Sequence, residues 1–508
     1  MTRYSAVLLV LCATSGCASL PEQVLREPSF AFGAPATTAL GRRFSGDIAA
    51  HPGESGFVPV VAGANALLLR LAFAGLAEKT LDLQYYIWND DLTGRLLLRE
   101  VMRAAERGVR VRLLLDDNHT GGETRLFGIV DAHPMIEVRL FNPFANRDIR
   151  IAGWVLEGAR LNHRMHNKVM ISDNALAISG GRNIGDHYFA VDELSNFRDL
   201  DLLAAGPITQ DLSEMFDAYW NSDASYPIAA VTRKSRPASD AQALLEFLDG
   251  WFGAQAALPF ALDADAGEMR GRIESFREDF HWGQAYTVFD SPARVSGDAG
   301  SRVAEFLFST TDGVARELLI ETAYFIPGES GVTILGELVA RGVEVSVLTN
   351  SLATNDVAAA HAGYMGYRDD LVAAGVALYE LRPDAVAEQQ RMTLLASGSD
   401  AALHTKALVY DRRAVVVGSF NLDPRSLAIN TEMGILVKST ALAEQVAGMI
   451  LQGMQPQNSY RIVVRDGGLR WRTVTADGVE YLDSEPETSW WERFVAMLIS
   501  LLPLQGQL

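Results

Sequence analysis

The sequence predicts an α/β protein of two related domains, each a largely buried β-sheet flanked by helices. Three observations predict it. His166-Asn167-Lys168 and His404-Thr405-Lys406 stand 238 residues apart (404 minus 166). Asp173, Gly180 and Asn183 are answered by Asp411, Gly418 and Asn421 at that same offset. Around these motifs, apolar runs of strand length alternate with segments of helical apolar spacing, in one order repeated in both halves. Alternating β and α elements imply helices packed on a sheet, and a fixed offset implies a repeated unit.

The chain has 508 residues and is 48% hydrophobic, enough for two or three cored domains. Residues 1–17 read as a lipoprotein-type signal. Arg3 precedes an apolar run, Ala6 to Ala13, too short to span a bilayer. Thr14-Ser15-Gly16 then leads to Cys17. Cleavage before Cys17 would leave its thiol to carry lipid, and acylation adds roughly 0.8 kcal/mol of membrane affinity per buried CH₂. The alternative is an ordinary signal with an incidental cysteine. Residues 18–55, broken by Pro21, Pro28, Pro35 and Pro52, read as a tether with little regular structure.

The first domain spans 56–225. It opens on a strand over 57–61 and a helix over 66–79 with Asn65 as N-cap. A strand over 81–88 follows, then a helix over 94–107 closed by Gly108. An apolar strand over 109–115 ends at Asp116-Asp117. Residues 226–283 form an insertion between the halves. The second domain, 284–455, repeats the order. A strand over 285–289 answers 57–61, and a helix over 303–319 answers the first helix. Tyr324-Phe325-Ile326 answers Tyr85-Tyr86-Ile87, and Arg341-Gly342-Val343 answers Arg107-Gly108-Val109. In the tail, 456–508, alternating runs flank Asp466-Gly467, a hairpin signal. Trp490 to Leu502 is nearly all apolar and too short to span a bilayer. Its paired Trp suits a membrane interface; a helix docked on the protein's own core fits as well.

A formal net charge of −19 gives no field that draws the chain to phosphate backbones, so no nucleic acid partner is expected. The two cysteines, Cys12 and Cys17, both precede residue 18, which leaves no disulfide framework. No His, Cys or Asp cluster has metal-ligand spacing, and no Gly-rich phosphate loop stands out, so no metal or cofactor is expected.

The repeated motif carries the chemistry. Residues 161–172 and 402–410 read as strands, in which residues two apart share a face. His166 then projects with Lys168, and His404 with Lys406. Burying such a pair is costly, so it makes sense against a bound anion. Lys supplies a fixed charge for phosphate oxygens, and His serves as nucleophile, acid or base. Asp173 and Asp411 lie just beyond, in a turn role or a catalytic one. Asn183 and Asn421 can donate to a phosphate oxygen. Glu432 and Asp199 could each orient an imidazole, although they follow their Asn by 11 and 16 residues. Asp201 competes with Asp199.

The doubled His-x-Lys-x4-Asp and Gly-x-x-Asn motifs resemble the phospholipase D superfamily. Leu81-Asp82-Leu83-Gln84-Tyr85-Tyr86, Gly181-Arg182-Asn183-Ile184-Gly185-Asp186 and Gly418-Ser419-Phe420-Asn421-Leu422-Asp423 look like the C-type branch of the bacterial cardiolipin synthases. The resemblance covers roughly residues 50–508. It implies two domains facing across a pseudo-twofold axis, with both motifs in one cleft and no metal or cofactor. It implies His166 as nucleophile on a phosphodiester phosphorus, giving a phosphohistidine, and His404 as acid and base. Lys168, Lys406, Asn183 and Asn421 would hold the phosphoryl oxygens, and Asp173 and Asp411 complete the motif. The implied acceptor is phosphatidylglycerol, and the donor a second phosphatidylglycerol or phosphatidylethanolamine. The implied setting is the membrane surface of the bacterial cell envelope. With water as acceptor the same site would be a phospholipase D; a nuclease and a non-catalytic envelope lipoprotein are the remaining readings.

Overall fold

The computed structural model describes residues 19–501, apart from 22, 120, 121, 148, 255–265, 298, 299, 393–395, 476 and 477. The signal at 1–17, with Cys17, lies outside the described residues.

The first half carries β1 (Ser55–Val60), β2 (Thr80–Tyr85), β3 (Arg110–Asp116), β4 (Ile136–Phe141), β5 (Val169–Ser172), β6 (Leu176–Gly180), β7 (Ser195–Arg198), β8 (Asp201–Ala205) and β9 (Ser225–Pro227). The second carries β10 (His281–Phe289), β11 (Glu317–Thr322), β12 (Glu344–Asn350), β13 (Ala377–Leu381), β14 (Asp400–Leu403), β15 (Lys406–Tyr410), β16 (Ala414–Gly418) and β17 (Met433–Lys438). The tail adds β18 (Ser459–Arg465), β19 (Gly468–Thr475) and β20 (Gly478–Leu482).

Pairing follows one path. The first sheet runs β9-β4-β3-β2-β5-β6-β8-β1. The second runs β10-β17-β16-β15-β11-β12-β13-β18-β19-β20. Antiparallel pairing of Ser55, Gly56 and Phe57 with Gly283, Trp282 and His281 joins them. Read outward from this seam, both halves show the same order, with three parallel strands in each (β2, β3, β4 and β11, β12, β13). A second seam pairs β7 with β14 in parallel, Ser195 to Arg198 against Asp400 to Leu403.

Each half buries its own core under its helices. The first includes Leu67, Phe73, Leu83, Leu97 and Leu113, and the second Val303, Ile320, Val345 and Leu378. A third apolar cluster crosses the seam, with Phe57, Leu202 and Tyr219 against Ile435, Val446 and Ile450. Tyr219 also donates its hydroxyl to Asp290 O at 2.7 Å. Shared apolar burial of this kind holds the halves as one body.

Several sequence expectations shift. The segment expected to be a tether contains a helix, Ala39–Ala50, capped by Thr38 and burying Leu40 and Phe44. Its prolines flank the helix instead of breaking it: Pro21, Pro28 and Pro35 precede it, Pro52 follows it, and Pro35 starts the turn before it. The first-domain helix is Gly63–Leu76, so Asn65 sits inside its first turn and not at the cap. The helix expected over 303–319 ends at Thr311, because Leu318-Leu319-Ile320 belongs to β11. The strand expected over 161–172 is regular only from Val169; the helix Arg150–Leu161 precedes it. The strand expected over 402–410 is two strands broken at His404-Thr405. The ladders also move one pairing of the repeat. Leu81 faces Ser172 and Leu318 faces Tyr410, which sets Ile87, Trp88 and Asn89 against Tyr324, Phe325 and Ile326.

Other expectations hold locally. Gly108 follows its helix at φ +90°, the left-handed conformation of a C-terminal stop. Asp466 and Gly467 turn the β18–β19 hairpin, both at positive φ. The tail helix, Trp490–Ser500, starts with a Ser489–Glu492 capping box. Among the described residues, no helix is long and apolar enough to cross a membrane.

Candidate active site

Each His-x-Lys segment is extended chain entering a central strand, β5 or β15. The tip of the neighbouring parallel strand anchors it. Asp116, ending β3, accepts from Met165 N at 2.8 Å, and Asn350, ending β12, accepts from Leu403 N at 2.7 Å. Across the seam, His166 N donates to Thr431 O at 2.9 Å and His404 N to Arg198 O at 2.8 Å. Each histidine is thus tied to the chain that precedes the other half's carboxylate.

The carboxylates complete that crossing. His166 Nδ1 lies 2.9 Å from Glu432 Oε2, and His404 Nδ1 lies 2.7 Å from Asp199 Oδ2. Asp199 and Glu432 are structural equivalents despite their unequal spacing. Gly180 pairs with Asp201 and Gly418 with Gly434, so both carboxylates stand two residues before the paired position. The extra residues of the first half form the turn at Asp186–Tyr188 and β7. Asp201 instead meets Arg70 at 3.0 Å and Arg182 at 3.3 Å, and orients no histidine. Gly180 and Gly418 are forced by proximity: a Cβ there would sit 2.2 Å from Leu200 O and 2.2 Å from Met433 O.

The two carboxylates are held differently. Glu432 accepts from the Ser419 and Ser426 hydroxyls, the latter at 2.8 Å. Asp199 accepts from Leu200 N at 2.7 Å. Gly181 stands where the second half has Ser419, and a Cβ on it would lie 2.1 Å from Asp199 Oδ1. Aromatic rings wall both imidazoles. Tyr86 meets His166 edge-on at 5.1 Å between ring centres, and Tyr188 and Phe197 flank His404 at 5.2 and 5.0 Å.

Both lysines are buried, and each donates to the backbone carbonyl of the histidine two residues earlier, Lys168 at 2.5 Å. Among the described residues, neither has a carboxylate within ion-pair distance. Burial therefore drives both lysines below the ordinary range, Lys168 far below it. Burial also drives both imidazoles well below their usual value, and the two lysines add to it. Burial pushes Glu432 up to about 7 and Asp199 upward. Burial and the neighbouring lysines thus both favour neutral imidazoles.

Asn183 and Asn421 differ. Asn183 is engaged by its own chain, accepting from Ile87 N at 3.2 Å and donating to Tyr188 Oη at 2.9 Å. Asn421 Oδ1 is buried with no partner. Asp173 and Asp411 fit the turn alternative. Both sit at the far ends of β5 and β15 in left-handed turn positions, φ +55° and +51°. Asp173 accepts from the backbone of Glu78, Lys79 and Thr80, and Asp411 from Ala315, Arg316 and Glu317. The motif keeps Asp there to tie the hairpin to the start of β2 or β11.

Sequence reading missed Ser419, Ser426, Tyr86, Tyr188 and the anchoring pair Asp116 and Asn350. The last pair was findable: both end strands aligned at an offset of 234 (350 minus 116). His163 and His361 stay outside the site, on Ile429 O at 2.7 Å and on Glu485 at 3.3 Å. Among the described residues, no group of three His, Cys, Asp or Glu side chains could hold a metal ion.

Two histidines with crossed carboxylates, on halves related by a pseudo-twofold, define a phospholipase D-superfamily phosphatidyltransferase. The chain belongs to the family described as "Cardiolipin synthase, PLD-like domain", whose model matches residues 72–220 and 310–452. It is 38% identical to cardiolipin synthase C of Escherichia coli (strain K12) over 90% of this chain and 96% of that one. It is 30% identical to an uncharacterized protein of Helicobacter pylori (strain ATCC 700392 / 26695) over 92% of this chain and 93% of that one. The crystal structure of phosphatidylserine synthase from Haemophilus influenzae Rd KW20 shares the fold. Its TM-score is 0.57 at 14% identity, covering 92% of this chain and all of that one (100%).

Proposed function

We propose that this protein makes cardiolipin in the cell envelope from phosphatidylglycerol and a second phospholipid, through a phosphohistidine. The crossed pairing of His166 with Glu432 and His404 with Asp199 carries the reading. With Nδ1 committed to a carboxylate, Nε2 is the ring nitrogen left to react. His166 Nε2 attacks the donor phosphorus, and the P–O bond to the head-group alcohol breaks as His404 gives that oxygen its proton. The acceptor hydroxyl of phosphatidylglycerol then loses its proton to His404 and attacks phosphorus, and the P–N bond breaks. Lys168 and Lys406 stabilise the charge on the phosphoryl oxygens, with Asn421 beside them. An anionic diester between the lysines offsets the charge that keeps His404 deprotonated, so proton uptake accompanies binding. Cardiolipin in mixed vesicles of phosphatidylglycerol and phosphatidylethanolamine is the expected product. Phosphatidic acid as sole product would replace this reading with the phospholipase D one.

The pH profile should follow the buried site. His166 attacks in its neutral form, and a depressed pKa keeps it neutral further into acid. The acid limb of kcat/KM should therefore fall below pH 6.5. The lysines act charged, and their depressed pKa values should place the alkaline limb below pH 10.5. Lys168→Arg, which stays charged where the more depressed of the two lysines stood, should move that limb upward; an unmoved limb would assign it to another group.

Two exposed apolar faces support a membrane-bound setting. The helix Arg150–Leu161, five residues before His166, exposes Ile151, Val155 (81%) and Leu156 (73%). The tail helix exposes Trp490, Phe494, Met497 and Leu501 along one side. A surface helix of this kind seats its apolar side in a lipid interface. Val155→Glu with Leu156→Glu should weaken binding to phosphatidylglycerol vesicles by about tenfold or more, with the fold intact because both side chains are already outside. Equal sedimentation with vesicles would remove this helix from the docking surface.

A further inference from the structure

The second half carries a narrow apolar groove with about 60 Å³ of enclosed space. The helices Arg302–Thr311 and Gly328–Ala340 form its sides, and the sheet face at Ile320 and Leu408 forms its floor. Asp423 is the one charged residue in its lining. Its wall is the catalytic loop itself. Phe420 and Leu422 line the groove on either side of Asn421, and Leu427 lines it next to Ser426, which donates to Glu432. Leu427 and Phe308 stand at 43% and 37% exposure on the groove.

The first half fills the equivalent space. Trp88, the counterpart of Phe325, packs edge-on against Phe127 and donates to Gly94 O at 3.2 Å. Arg182, the counterpart of Phe420, is spent on Val60 O, Val61 O, Asp199 O and Asp201. Asp201 in turn holds Arg70, which bonds Tyr85 at 3.0 Å. The repeat therefore closes with a polar cluster on one side of the seam and leaves apolar walls on the other. Such walls hold water poorly and take an apolar occupant.

We propose that this groove holds a stretch of one acyl chain of the phospholipid whose phosphate sits at the histidine pair. The inference rests on the phosphatidyl-transfer reading. The loop from Phe420 to Leu427 then does two things at once. One side supports Glu432 and offers Asn421 to the cleft; the other grips the chain, so a lipid is aligned by its tail before its diester reacts. Part of the binding energy of the tail becomes orientation at phosphorus.

Two measurements test it. Ile334→Trp narrows the groove from the helix Gly328–Ala340, where Ile334 is half-buried. The ratio of kcat/KM for dipalmitoyl over dihexanoyl phosphatidylglycerol should fall about tenfold from wild type, the worth of roughly two buried methylenes. Vesicles of phosphatidylglycerol with a photoactivatable diazirine on the acyl chain should label wild-type peptides from 302–311 and 328–340. An unchanged ratio, or labelling confined to 150–161 and 490–500, would overturn the groove. Labelling of the groove by a wild-type protein that turns over no phospholipid would keep the lipid site and overturn the transferase reading instead.

Discussion

Replacing His166 by Ala is expected to lower transfer roughly 10⁴-fold or more and to abolish covalent labelling of the protein by donor lipid. His404→Ala should behave differently. It loses the proton donor, worth about 10²–10⁴ for an alkoxide leaving group. A phosphatidyl ester of p-nitrophenol needs no such help. With that donor, His404→Ala should release a stoichiometric burst of nitrophenol and then stall, with an acid-labile phosphoryl group on His166. The reverse pattern would exchange the two roles. The experiment is needed because the two sites differ mainly in their supports. Glu432 takes two serine hydroxyls where Asp199 takes a backbone amide.

Asp173→Ala is expected to cost stability while sparing chemistry. Three backbone N–H groups end on this carboxylate, at 2.9, 2.7 and 2.9 Å, and the side chain is fully buried. Removing the acceptor leaves them unsatisfied, and Ala is poorly suited to φ +55°. The loss should be about 3 kcal/mol, read as a lowered Tm, with kcat of the folded fraction near wild type. Asp411→Ala removes an equivalent set of bonds from a half-exposed site. Water replaces the acceptor there, so about 1 kcal/mol is expected. A drop in kcat of the folded protein by more than tenfold in either variant would restore a catalytic role.

The repeat made much of this architecture legible. Five anchors at one offset located both histidines, both lysines and both asparagines, because the two copies have equal length between His and Asn. The crossing of the carboxylates was not legible. The motif gives residue types and spacings along one chain, whereas the partners of His166 and His404 come from across the seam. The inserted turn and β7 also hid the equivalence of Asp199 with Glu432. For Asp173 and Asp411 a turn role and a catalytic one both stayed open, because a motif fixes a residue without saying whether chemistry or a turn requires it. The helix at Ala39–Ala50 was masked by nearby prolines, which flank it and spare its interior.

The crossed carboxylates make each half the custodian of the other's reactivity. Each half supplies the carboxylate that meets its twin's histidine. A half expressed by itself would carry a histidine without its carboxylate. Any motion that opens the seam would disarm both histidines in one stroke, so the enzyme has no half-active state to pass through.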